Sequence, residues 1–126
     1  MTTKMYGWGN DAGALLGFPA SYTNGSYPTT YRTVPTKVND STDWDKIYLG
    51  SDGLSFAIKT GGSLYFSSLY GYFGYSAVTG PFTGWRLSDS GNWTEIAILG
   101  NRAYGIKSNG TLWYVGANSF HGQSSS

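Results

Sequence analysis

Apolar and polar residues alternate over several short segments of the chain. In LSFAIKT, residues 54–60, alternation places Leu54, Phe56 and Ile58 on one face of a strand and the intervening residues on the other. KIYLG (46–50) and EIAILG (95–100) are similar β-rich runs that end at Gly. Since no segment keeps a helical period over three turns, the pattern predicts an all-β chain with its strands in hairpin sequence.

Two short turns join strand pairs of this kind. Asn109-Gly110 is the strongest short hairpin signal that a sequence carries, and Gly61-Gly62 stands at the matching place in an earlier pair. We predict two-residue turns at both places, with positive φ at both central residues.

The two hairpins belong to a longer internal repeat. WDKIYLGSDGLSFAIKTGGSLYFSS (44–68) is repeated as WTEIAILGNRAYGIKSNGTLWYVG (93–116), with matched positions 48 to 50 residues apart. The matched pairs include Trp44 with Trp93, Ile47 with Ile96, Gly50 with Gly100, Ile58 with Ile106, Gly62 with Gly110 and Leu64 with Leu112. So many identities in order are rare by chance, and periods of this length are characteristic of β-propeller blades.

A third, partial copy lies near the start of the chain, where KMYGWGN (4–10) matches TLWYVGAN (111–118). We therefore predict a single domain over residues 1–126. Its repeat units cover approximately residues 4–60, residues 61–108 and a partial 109–123. The Pro-, Asn-, Ser- and Thr-rich stretch 18–43 is predicted to be loop, with one edge strand at YRTVPTKV. The predicted repeat core is Trp44, Ile47, Phe56, Ile58, Leu64, Trp93, Ile96, Ile106, Leu112 and Trp113.

The residues of the repeat resemble a known propeller family. YGWGNDAGALLG, then VP, then DWDKIYLGSDGLSFAIKTGGSLY looks like one repeat of the regulator-of-chromosome-condensation family, and GTLWYVGANSFHGQ begins another. The resemblance implies propeller-like antiparallel blades, about two full repeats and a partial third. The acidic and His constellation that serves nucleotide exchange in that family has no counterpart here, so the resemblance does not carry that activity over.

A looser resemblance is to the tachylectin-type propeller lectins. WDKI, WTEI and GSLYFSS are similar to the strand starts and the hairpin strand of those repeats. This resemblance implies amino-sugar sites on the blades.

Composition narrows the function classes. Charged residues make up 12% of the chain and the net charge is +1, without a basic patch, so we expect no nucleic-acid partner. The absence of Cys excludes disulfides and thiolate metal sites, and no apolar run has the length of a membrane span. The first residues lack the apolar stretch of a signal peptide, so we expect neither ordinary secretion nor membrane insertion.

Residues that support enzyme or metal chemistry are scarce. His121 is the one His and has no partner in a catalytic role, so we expect no enzyme and no cofactor. Asp40, Asp43 and Asp45 lie close together, but their spacing does not fit a calcium loop. We interpret them as a polar turn before a strand and expect no metal site.

An aromatic stretch among Gly and Ser, residues 69–85, is the candidate binding region. Such stretches form adaptable contact surfaces, and the same rings serve equally well in blade-to-blade packing. The candidate ligand or partner residues are Tyr70, Tyr72, Tyr75, Phe82 and Trp85.

Complete propellers have about four to eight blades, so two and a part leave faces to be covered. Either other copies of the chain close a ring, or the blades dock on another protein, or the repeats pack on each other within one chain. We favour completion between chains. The repeats also resemble those of phage structural proteins. Together with the low charge and the incomplete blade count, this resemblance implies a non-enzymatic bacteriophage structural protein, such as a head-decoration, tail or fibre component. It would bind copies of itself or other virion proteins and reside in the virion, assembled in the host cytoplasm. The alternative is a lectin that binds a cell-surface glycan.

Overall fold

The computed structural model describes residues 2–10, 16, 18, 31–50, 55–67, 85–100, 102–116 and 119–123. The strands are β1 (Tyr6–Asn10), β2 (Tyr31–Lys37), β3 (Trp44–Leu49), β4 (Ser55–Lys59), β5 (Leu64–Ser67), β6 (Arg86–Asp89), β7 (Trp93–Leu99), β8 (Arg102–Lys107), β9 (Leu112–Gly116) and β10 (Ser119–Gln123). The predicted all-β class is confirmed. No helix occurs in these ranges, so none there is long and apolar enough to cross a membrane.

The strands form three antiparallel sheets. β1 and β2 make a two-stranded ribbon, β3 to β6 make the middle sheet, and β7 to β10 make the last sheet. Within each sheet every strand pairs with its neighbour in sequence, as expected of consecutive hairpins. The predicted unit boundaries after residues 60 and 108 fall in the turns between the second and third strands of the two larger sheets.

The hairpin turns differ from the two-residue turns predicted. The N–H of Gly110 donates to the carbonyl of Lys107 at 2.9 Å, and only Gly110 of the Asn-Gly pair has positive φ, at 82°. Gly62 repeats this geometry, with a 2.8 Å bond to Lys59 and φ of 84°. Each is a three-residue loop in which a left-handed Gly closes a type I turn. The sequence signal located the hairpins correctly but missed this extra loop residue.

The three sheets pack as successive layers, and both faces of the middle sheet carry buried residues. One face carries Phe56, Ile58, Leu64 and Phe66, which are buried against the last sheet's Trp93, Ile96 and Ala103. The opposite face carries Trp44 and Ala57, which are buried with Met5, Phe18 and Val38. Strand alternation therefore places buried residues on both faces of this sheet, whereas the described buried residues of the last sheet lie on one face.

Adjacent layers are joined by the same backbone contact. The N–H of Trp93 donates to the carbonyl of Gly62 at 2.9 Å, and the N–H of Trp44 donates to the carbonyl of Thr3 at 3.4 Å. Thr3 and Gly62 occupy matching repeat positions, 59 residues apart, and Trp44 and Trp93 occupy matching positions, 49 residues apart. The repeat seen in the sequence is thus also a repeat of how one layer meets the next.

The predicted repeat core divides into two groups. Trp44, Phe56, Ile58, Leu64, Trp93 and Ile96 are buried, and Trp113 is partly buried against the core. In contrast, Ile47, Ile106 and Leu112 are exposed, so their assignment to the core is corrected. Each of these three points from a sheet face that no described layer fully covers, whereas their repeat counterparts Ile96, Ile58 and Leu64 are covered.

Candidate functional site

The outer face of the last sheet is an exposed apolar surface, which we call the open face. It is formed by Leu99, Tyr104, Ile106, Leu112 and Tyr114. Strand pairing sets Tyr104 opposite Tyr114 and Ile106 opposite Leu112, and the two tyrosine rings lie 6.2 Å apart. Alternation explains the arrangement, because the residues between these positions point to the buried side of the sheet.

The repeat shows what kind of surface this is. Four residues of the open face match four of the middle sheet: Tyr104, Ile106, Leu112 and Tyr114 match Phe56, Ile58, Leu64 and Phe66 at a constant spacing of 48. The middle-sheet residues are all buried, since the last sheet packs on them. The open face thus has the composition of a layer-packing face without a described layer on it. Contiguous apolar surface of this kind typically marks an interaction site.

A second repeated feature is a lysine held between two aromatic rings. Nζ of Lys107 lies 4.9 Å from the ring centre of Trp93 and 4.4 Å from that of Trp113. In the middle sheet, Nζ of Lys59 lies 5.0 Å from Trp44 and 4.9 Å from Tyr65. Cation–π attraction and packing of the aliphatic stem both favour this arrangement. We call these two groups the lysine clamps.

Polar partners complete each clamp. Oδ2 of Asp89 lies 2.9 Å from Nζ of Lys107 and accepts a 2.9 Å hydrogen bond from Nε1 of Trp93. Nζ of Lys59 instead pairs with Asp43 at 3.0 Å, and Nε1 of Trp44 donates to Asn39 at 3.3 Å. The clamps orient the Trp that begins each sheet. Their lysines are engaged by rings and carboxylates, which fits a structural role.

The electrostatics of Asp89 follow from its clamp. Burial alone would raise the pKa of this carboxyl. The hydrogen bonds from Lys107 and Trp93 outweigh burial and hold the pKa below its usual value. Asp89 is therefore charged at neutral pH and stabilises the position of both partners.

A polar bridge ties the middle sheet to the last sheet at one edge. Lys46 donates to Glu95 at 2.8 Å, and the hydroxyl of Tyr48 donates to the other oxygen of that carboxylate at 2.8 Å. These hydrogen bonds lower the pKa of Glu95 and raise that of Lys46. The pKa of Tyr48 is raised to about 12, with partial burial as the larger cause and the hydrogen bond to Glu95 as the next.

The predicted binding residues are placed only in part. Tyr70, Tyr72, Tyr75 and Phe82 lie outside the described residues. Trp85 is half-buried and packs against Trp44 with ring centres 5.8 Å apart, beside the cluster that contains Met5 and Val38. Its indole Nε1 is buried and has no hydrogen-bond partner. Trp85 thus contributes to packing between the ribbon and the middle sheet.

Among the residues considered for catalysis or metal binding, the structure describes the side chains of the three aspartates, and two of them pair with lysines. Asp40 pairs with Lys37 at 2.7 Å and Asp43 with Lys59, while Asp45 is exposed. In the ranges that the structure describes, no group of three metal-binding side chains occurs. The backbone of His121 lies in β10 opposite Tyr114, and its side chain is outside the description.

Comparison with known proteins adds no further constraint. No family model, curated protein or solved structure matches the chain. The candidate site therefore stands on geometry and on the internal repeat.

Sequence reasoning missed the open face and the lysine clamps. Signals for the clamps were present, since Ile-Lys recurs at 58–59 and 106–107 and Trp recurs at the start of each copy. The open face had no such signal, because the repeat assigns the same residues to a core in both copies. Only the order of the layers distinguishes Ile58, which is covered, from Ile106, which is not.

Proposed function

We propose that the protein is a non-enzymatic structural component that assembles through stacked, propeller-like β blades. The observation that carries this proposal is the open face, since four of its five residues have counterparts in the middle sheet that are buried by the next layer. Burial of apolar area contributes roughly 25 cal/mol per Å², so covering this face is a source of assembly energy.

The order of packing favours head-to-tail association. At the interface between the middle and last sheets, the face bearing Phe56 and Leu64 meets the face bearing Trp93 and Ile96 of the following layer. Continuing this order places the open face of one copy against the ribbon of the next. The ribbon carries exposed aromatic side chains at Tyr6, Trp8 and Tyr31 for such a contact. Contacts of this heterologous kind generate rings or filaments.

A virion setting suits this kind of assembly. The chain has few charges, 11 Tyr and 19 Gly, which favour neutral, aromatic contact surfaces over electrostatic ones. The resemblance to propeller repeats of phage structural proteins points the same way. We therefore propose a bacteriophage head-decoration, tail or fibre component that binds copies of itself or other virion proteins.

Light scattering coupled to size-exclusion chromatography tests the proposal. We expect the wild-type chain to elute at a multiple of 13.6 kDa, with a mass that rises with concentration. Ile106→Lys places a charge at the centre of the open face and should leave a folded monomer. Leu87→Lys, at a similarly exposed position on the middle sheet, is the matched control and should retain the wild-type mass. A wild-type monomer at every concentration contradicts the proposal.

Carbohydrate binding is the second candidate, and one observation favours it. The indole N–H of Trp85 is buried without an acceptor beside a groove that Tyr6 and the exposed Trp8 also line. Aromatic faces and a donor N–H are groups that sugars use. Trp8→Ala and Trp85→Phe should each reduce binding on a glycan array if this candidate is correct, and an array without binding by the wild type excludes it.

A further inference from the structure

An apolar groove separates the ribbon from the middle sheet. Its volume is about 280 Å³, whereas the cavity at the interface between the middle and last sheets is only about 10 Å³. The groove is lined by Met5, Tyr6, Trp8, Val38, Ile47 and Leu49, among others. Two interfaces built from the same repeat therefore differ, one being closed and the other open.

Comparison of matching repeat positions shows which strands would cover the groove. Ile47 in β3 is 49% exposed, but its counterpart Ile96 in β7 is 8% exposed. Ile96 is buried because it packs in the cluster formed with Phe56 of β4, with Tyr48 of β3 at its margin. The layer that faces Ile47 is the ribbon, which contains only counterparts of the third and fourth strands of a sheet. Counterparts of the first two strands are what this layer lacks among the described residues.

The edge of β1 supports the same conclusion. β1 matches β5 and β9, since Met5 corresponds to Leu64 and Leu112. β5 lies between β4 and β6, and β9 lies between β8 and β10. Among the described strands, β1 pairs with β2 alone, and no described strand lies along its edge at Tyr6–Trp8. A strand edge next to an apolar groove is suited to strand addition.

We propose that this groove is the docking site for a β-hairpin of a partner protein. The inner strand of the hairpin pairs antiparallel with β1, and its apolar side chains cover Ile47 and Leu49. The register follows from β4 and β5, where Ile58 pairs with Leu64. An Ile-like residue of the hairpin therefore lies opposite Met5, and an aromatic residue two positions earlier lies opposite Gly7.

The hairpin comes from a partner rather than from a second copy of this chain. Among the described strands, the two hairpins of the required type, β3–β4 and β7–β8, are already integrated in four-stranded sheets. The partner segment should resemble them, with aromatic and aliphatic residues alternating on one face as Tyr48, Phe56 and Ile58 do. This site does not include the open face, but it shares Tyr6 and Trp8 with the ribbon surface of the proposed assembly.

A cyclic peptide tests the site. Residues 44–60, WDKIYLGSDGLSFAIKT, supply both strands, and a disulfide between cysteines added at the ends holds them as a hairpin before binding. Fluorescence anisotropy of the labelled peptide should show saturable one-to-one binding to the full chain. A peptide carrying Phe56→Asp is the control and should bind at least about tenfold more weakly, because a charge replaces the ring that enters the groove.

Two equally exposed leucines provide matched variants. Leu49 lies in the groove and Leu99 on the open face, and each is 75% exposed, so neither substitution should unfold the chain. Leu49→Lys should weaken peptide binding about tenfold or more by placing a charge in the apolar groove. Leu99→Lys should leave binding unchanged, while it alone impairs assembly through the open face. Circular dichroism of both variants verifies the fold.

Hydrogen exchange then tests the register, since bound peptide should protect backbone amides within Tyr6–Trp8. The proposal is overturned by absent binding of the cyclic peptide, by equal binding of its Phe56→Asp form, or by a loss with Leu99→Lys equal to that with Leu49→Lys. A wild-type oligomer that Leu49→Lys alone converts to monomer would assign the groove to a second copy and overturn the partner hairpin.

Discussion

Gly105 lies directly beneath the indole of Trp93. A Cβ atom at residue 105 would come within 2.4 Å of Cζ3 of Trp93 and within 2.8 Å of Cδ1 of Ile96. Nζ of Lys107 lies 4.9 Å from the centre of the same indole, and Nε1 of the indole donates to Asp89. Since the ring has little freedom to move away, residue 105 must be small.

Gly105→Ala should therefore destabilise the fold. Overpacking of a fixed core contact typically costs about 1–3 kcal/mol of unfolding free energy. Urea unfolding followed by tryptophan fluorescence measures the change. Gly61→Ala is the control, since a Cβ there meets nothing within 4 Å, and its unfolding free energy should stay near that of the wild type. Equal stability of the two variants would mean that Trp93 can move aside.

The junction between layers makes a second glycine sensitive. At Gly62, φ is +84° and a Cβ would lie 2.8 Å from Cα of Asn92. Gly62→Ala should cost more than the roughly 1–2 kcal/mol of left-handed backbone strain, because backbone atoms of Asn92 must also shift.

Gly100→Ala distinguishes backbone strain from the steric contact with Asn92, the two effects expected at Gly62. Gly100 also has positive φ, at +59°, but a Cβ there meets nothing within 4 Å. Its substitution should show the backbone strain alone in the same urea experiment. If Gly62→Ala is no more destabilising than Gly100→Ala, then the close approach to Asn92 contributes little.

The clamp around Asp89 predicts a dependence of stability on acid. The pKa of Asp89 in the folded chain lies below its unfolded value, so its contribution is present above about pH 4 and is lost as pH falls through the folded pKa. Asp89→Asn should lower stability at pH 7 and flatten the decline in stability below about pH 4. Urea unfolding at each pH measures both.

Asp40→Asn is the control for this experiment. Asp40 is also paired with a lysine, and its pKa is also lowered, but the pair is exposed and should contribute little. A flattening by Asp40→Asn as large as that by Asp89→Asn would argue against a special role for the clamp.

The polar bridge predicts an unusual tyrosine titration. Tyr48 should ionise near pH 12, because burial and the bond to Glu95 both favour its neutral hydroxyl. Its folded pKa exceeds the unfolded value of about 10, so its contribution to stability is present below pH 10 and declines as pH rises toward 12. The difference between ultraviolet titrations of wild type and Tyr48→Phe isolates this residue.

Glu95→Gln checks the cause of the shift. The variant removes the carboxylate but leaves the burial of Tyr48, so the pKa of Tyr48 should fall part of the way toward 10. A pKa that does not change in Glu95→Gln would assign the whole shift to burial.

Most of the fold could be predicted from alternation and from the repeat. Segments such as SFAIK and RAYGIK became β4 and β8, and YRTVPTKV became the edge strand β2. The turn at Asn109-Gly110 was located correctly but given the wrong geometry, because loop length depends on where strand pairing ends. Pairing resumes between Lys107 and Thr111, which leaves three residues outside it.

The site could be predicted less well, because local sequence does not determine whether another sheet packs on a given sheet face. Ile47 and Ile96 have the same sequence context, and they differ only in the layer that faces them. Alternation identifies which residues share a face but not whether another sheet lies on it. The partners of Lys59 and Lys107 likewise depend on three strands meeting at one end of a sheet.

The backbone hydrogen bonds that join successive layers are the same at both junctions, although the chain segments that they enclose differ in length. The Thr3-to-Trp44 junction encloses ten more residues than the Gly62-to-Trp93 junction, yet both make the same N–H to carbonyl contact. Loop-closure entropy grows slowly, by about 0.6 kcal/mol for each doubling of length. The segments between a third strand and the next sheet's Trp are therefore natural places for sequence to be gained, in evolution or by grafting a foreign peptide for display.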